Sequence, residues 1–129
     1  MIKQLINIEN YWKIIVYYNV NYNLFNYIAN DLYNIGASNR TINNIYKTMA
    51  THKAKAFTLS NKKEKISVVA FNKHNSKYDY INSIIHEAEH IKQAMLSAYN
   101  VVDENEPPAY TIGYVAMKML RINKRLKLM

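Results

Sequence analysis

Apolar residues recur along this chain in two rhythms, one suited to strands and one to helices. Trp12-Lys13-Ile14-Ile15-Val16-Tyr17-Tyr18 is short, β-branched and aromatic, and is broken by Asn19 and Asn21, so it predicts a strand. From Tyr22 to Ile35 the apolar positions Leu24, Phe25, Ile28, Leu32 and Ile35 fall at helical spacing, and Gly36 ends that helix as its C-cap. Ser38 can cap a second helix, with Ile42, Ile45, Tyr46 and Met49 as its apolar stripe. Ala54 to Ser60 and Ile66 to Asn72 are two short runs around the polar Asn61-Lys62-Lys63-Glu64, the pattern of a hairpin. Ser76-x-x-Asp79 is a helix-opening signature, and the helix it opens runs to about Tyr99. Proline is tolerated in a first turn, so Pro107-Pro108 predict a last helix from about Pro108 to Asn123. Ala109, Gly113 and Ala116 give that helix a small-residue strip for close approach to another helix. The expectation is a single α+β domain over residues 1–129, with a small sheet of about three strands and about four helices.

The third helix has two unlike sides. Ile84, Ala88, Ile91 and Met95 form a core-facing stripe, whereas His86 and His90, four residues apart, share another face. Together with Glu87 they spell His-Glu-x-x-His. Two imidazoles so placed can grip one metal ion, and Glu87, about 100° round from His86, can reach a water on that metal without ligating it. The bland alternative is a solvated helix face on which His and Glu merely alternate. The apolar periodicity, the strand upstream and the acidic segment downstream all count against it. Glu89 puts a charge at a position of the motif that is usually uncharged.

Composition narrows the chemistry. Half of the 129 residues are hydrophobic, which suits one folded domain, and no run approaches the ~18 apolar residues of a membrane span. No signal-peptide pattern opens the chain, so a soluble, cytoplasmic protein is expected. There is no Cys, which leaves His and carboxylates as metal ligands. The net charge of +8 favours acidic partners such as nucleic acid. Lys118, Arg121, Lys124, Arg125 and Lys127 crowd the C-terminus, as a solvated helix end or as a nucleic-acid contact. The second predicted helix invites a helix-turn-helix reading, with Arg40, Asn43, Asn44 and Lys47 exposed, although any helical hairpin would look alike. His52 and His74 lie in or beside turns and are expected to be surface histidines.

Strand, linker, His-Glu-x-x-His helix and a later Glu on another helix resemble the zincin metallopeptidases in the gluzincin arrangement. More narrowly, Ile85-His86-Glu87-Ala88-Glu89-His90-Ile91-Lys92-Gln93 with Glu106-Pro107-Pro108-Ala109-Tyr110-Thr111-Ile112-Gly113-Tyr114 resembles small metallopeptidase-like proteins of phages and mobile elements. The resemblance covers residues 66–116. It implies a minimal zincin-like fold, zinc held by His86, His90 and Glu106, Glu87 as general base, and a bacterial host's cytoplasm as the setting. It also implies that Ile66–Phe71 lines the cleft for a peptide or protein substrate. Tyr110 or Tyr114 can serve as an oxyanion donor or equally as a core aromatic. Asp103 and Glu104 are the other candidates for the third ligand. Glu106 is favoured because Pro107-Pro108 restrict its backbone. The activity so implied is zinc-dependent peptide hydrolysis. The rivals are an inactive interaction module of the same fold and a basic nucleic-acid-binding protein.

Overall fold

The computed structural model describes residues 1–100 and 106–125, with the backbone alone for 106–112. The chain is α+β, with four α-helices and a four-stranded mixed sheet among the described residues. It forms two compact units, Met1–Lys73 and His74–Met129.

The first unit holds the whole sheet. Its strands are β1 (Ile2–Ile8), β2 (Trp12–Tyr18), β3 (Ala56–Asn61) and β4 (Ile66–Phe71), in the order β1-β2-β4-β3. β1 pairs antiparallel with β2, from Ile2 opposite Tyr18 to Ile8 opposite Trp12. This strand has no counterpart among the sequence expectations, and its pattern explains why. Gln4 stands in the same phase as Ile2 and Ile6, where it accepts a hydrogen bond from the Tyr18 hydroxyl at 2.6 Å, while Leu5 on the other phase is 58% exposed. The alternation that marks a half-buried strand is therefore broken at its centre.

Between β2 and its parallel partner β4 the chain makes a helical crossover. A 3₁₀ turn at Tyr22–Leu24, capped by Asn21, precedes α1 (Phe25–Asn34), so the α-helix starts three residues later than its apolar spacing suggests. The end of α1 follows the expectation closely. Gly36 adopts φ +97°, its N–H reaches Tyr33 O at 2.9 Å, and Ala37 N–H reaches Leu32 O at 3.0 Å. That is a Schellman ending, and only glycine takes such a backbone without strain. Ser38 then caps α2 (Asn39–Ala50) by accepting from Thr41 N–H at 3.1 Å. Phe25, Ile28, Leu32, Ile35 and Met49 bury themselves with Ile15, Tyr17, Val68 and Ala70 of the sheet. The Asn61–Glu64 turn closes the β3–β4 hairpin, with Asn61 Oδ1 accepting from Glu64 N–H and Asn61 Nδ2 donating to Ile35 O at 2.7 Å. Asn72, just after β4, is buried and donates to Met49 O and Ala54 O at 3.0 and 3.1 Å. Its own carbonyl accepts from the Tyr22 hydroxyl.

The second unit contains α3 (Lys77–Tyr99) packed on α4 (Glu106–Arg125). Ser76 caps α3 by accepting from Asp79 N–H at 3.1 Å, and Asn100 ends it in the left-handed region at φ 55°. On α4 the buried stripe is Val115, Ala116, Met119 and Asn123. Gly113, expected to allow close approach, is exposed, and a Cβ there would meet nothing within 4 Å. None of the described helices is long and apolar enough to cross a membrane.

Candidate metal centre

His86, Glu87 and His90 all lie on α3, about three to four turns beyond its cap. The helix buries Ile84, Ala88 and Ile91, leaves Met95 half-buried, and exposes both histidines. The rings stand edge to face at 87°, with Nε2 of His86 3.1 Å from Nε2 of His90. Two imidazole nitrogens on one tetrahedral zinc, each about 2.0–2.1 Å from it, would stand about 3.3 Å apart. The pair is therefore already at the separation that one metal needs. An N–H···N hydrogen bond also has this length, but it requires complementary tautomers on two solvent-exposed rings.

Glu87 faces another way. It is buried, 4% exposed, beside Ala88 and one turn beyond Ser83, itself buried. Glu89, the unusual charge of the motif, is tied within its own helix. Its Oε1 lies 2.8 Å from Lys92 Nζ and accepts from Gln93 Nε2 at 2.9 Å. Lys92 is buried although cationic, so Glu89 supplies the counter-charge for its ammonium group. The extra carboxylate thus answers a need of the helix and leaves the histidine face to the histidines.

His74 departs from the expectation of a stray surface residue. Its ring stacks on Tyr80 with centroids 4.7 Å apart, and its Nε2 lies 2.7 Å from Ser83 Oγ. It fastens the segment before Ser76 to the first turns of α3. No spacing rule reveals this contact, because it joins a loop residue to two helical positions. Burial pushes the Tyr80 phenol above its ordinary range. His52 is exposed at φ 58° after α2, as a surface histidine.

No known family, curated protein or solved structure matches the chain. Among the described residues no three His, Asp or Glu side chains come together to hold a metal ion, and His86 and His90 stand as a close pair. Asp103 and Glu104 lie outside the described residues. Glu106 is the first residue of α4, and its side chain, like that of Tyr110, lies outside them too. Tyr114 is 38% exposed, with Lys118 Nζ 5.5 Å from its ring centroid. β4, the strand expected to line a cleft, is paired along both sides, with β2 and with β3. Its backbone has no open edge for an extended peptide. The open edges of the sheet are β1 and β3.

Proposed function

We propose that the protein is a zinc-dependent, zincin-like metallopeptidase, with His86 and His90 as two of its metal ligands. The observation that carries this reading is the 3.1 Å approach of the two Nε2 atoms on the exposed side of α3. The donor set agrees with it: neutral imidazoles with a carboxylate suit zinc, and the chain has no Cys to offer instead. Zinc held there would polarise a peptide carbonyl and acidify a water molecule. Glu87 is assigned to accept that water's proton on the resemblance alone. Its carboxyl is buried and faces another way than the exposed histidines, so the role requires its side chain to turn towards them. Glu106 is assigned as the third ligand, on the resemblance and on the restriction that Pro107 imposes on its backbone.

Metal analysis of the purified protein tests the reading. Wild type should carry one zinc per chain, and His86→Ala and His90→Ala should each lose most of it. Full zinc in both variants would discard the site. Glu106→Ala should weaken zinc binding where Glu104→Ala does not, and the reverse moves the third ligand to Glu104. Glu87→Gln should keep zinc and fold while abolishing hydrolysis of a peptide library. A zinc-loaded wild type inert towards every such peptide would instead identify an interaction module.

A further inference from the structure

The first unit carries a strongly basic stretch of surface. Between Asp31 and Glu64 the chain has no carboxylate, yet it has Arg40, Lys47, Lys53, Lys55, Lys62 and Lys63, all exposed. The fold gathers these along α2. Asn61 donates to Ile35 O at 2.7 Å, which brings the Lys62-Lys63 turn to the N-terminal end of α2. Lys53 and Lys55 follow its C-terminal end, and no acidic residue occupies its first turn. α2 turns Met49 into the core and half-buries Ile42 and Ile45, so its opposite face is open to solvent.

On that open face Arg40, Asn43, Asn44 and Lys47 follow at helical spacing, and all four are exposed. Lys47 lies seven positions after Arg40, about 10 Å along the axis. The major groove of duplex DNA is about 12 Å wide and admits an α-helix. We propose that the exposed face of α2 docks into the major groove of duplex DNA. Arg40 and Lys47 lie two turns apart on the midline of that face with Asn43 and Asn44 on its two flanks, so all four enter the groove together. The long side chains of Arg40 and Lys47 reach its phosphates, and the flanking lysines extend the contact along the backbone. The favoured partner is duplex DNA over duplex RNA, whose deep, narrow major groove does not accept a helix. The basic end of α4 is the lesser surface, because Lys124 and Arg125 lie in a last turn where cations also complement the helix dipole.

Fluorescence anisotropy of the full chain with a labelled DNA duplex of about 20 base pairs, between about 50 and 200 mM salt, tests this. Wild type should bind with steeply salt-dependent affinity. R40E/K47E should weaken binding at least about tenfold and flatten the log–log salt slope by about 2, one for each lost phosphate contact. The neutral pair R40Q/K47Q should lose less, K124E/R125E should stay within about twofold of wild type, and a matched RNA duplex should bind more weakly than the DNA. Unchanged melting by circular dichroism checks that each variant is folded. Absence of binding by wild type at low salt, wild-type affinity in R40E/K47E, an equal loss in K124E/R125E, or RNA binding as tight as DNA would each overturn the assignment.

Discussion

Single side chains do disproportionate work in this protein, and Asn72 is the clearest case. Its amide bonds two backbone carbonyls, Met49 O and Ala54 O, and its carbonyl takes the Tyr22 hydroxyl. Each partner left unsatisfied in a buried setting costs about 1–3 kcal/mol. Asn72→Ala should therefore lower unfolding stability by about 3 kcal/mol, read as a lower urea midpoint with an unchanged slope. A loss below about 1 kcal/mol would mean that water reaches those carbonyls and replaces the amide. Glu89 is a second case, since its bonds to Lys92 and Gln93 keep a buried ammonium paired within α3. The presence of His86, Glu87 and His90 could be read from the sequence directly, because helical spacing alone places them. The contacts of Asn72, His74 and Glu89 could not, since each depends on a partner's rotamer or on a loop's path.

At the level of elements, the caps and breaks were the most legible features, because they act within one turn of their own residues. Ser38, Ser76 and Gly36 all perform the roles that their types suggest. Two glycine substitutions separate backbone strain from packing. Gly36 sits at φ +97°, where a Cβ would make only ordinary contact with Asn61 Nδ2 at 3.5 Å. Gly36→Ala should thus destabilise by about 1–3 kcal/mol through backbone strain alone. Gly113 lies exposed in α4 with open space around it, so Gly113→Ala should stabilise by about 0.5–1 kcal/mol. Thermal melts of the two variants moving in the same direction would contradict this account. The strand expectations fared less evenly. β2, β3 and β4 carry short apolar runs bounded by polar turns, whereas β1 interrupts its own alternation with Gln4 and Leu5. Of the small-residue strip of α4, Ala116 is buried but Gly113 stands in open space, because spacing identifies a possible close approach but not whether a neighbour occupies it.

For the whole molecule, pH is a probe of how well both units are packed. Burial raises the pKa of Tyr17 in the first unit, reinforced by its hydrogen bond to Asp31 and by that carboxylate's charge. Burial alone raises that of Tyr80 in the second. A phenol whose folded pKa lies above its unfolded value near 10 contributes stability in full below that pH, and loses it as pH climbs towards the folded value. Melting temperature should therefore fall as pH rises above about 10, and less steeply in Tyr80→Phe than in wild type. Equal slopes in the two proteins would show that Tyr80 titrates as it does unfolded. By itself the sequence determined the helices, their caps, most strands and the His86–His90 spacing, because those follow from periodicity and short-range sterics. Only the tertiary structure decided the strand order β1-β2-β4-β3, the parallel β2–β4 pairing and the interior place of β4. It also decided that both histidines are exposed with converging nitrogens while Glu87 is buried. Those outcomes depend on which distant segments pack together and which rotamers they permit. Spacing along the chain carries no record of either.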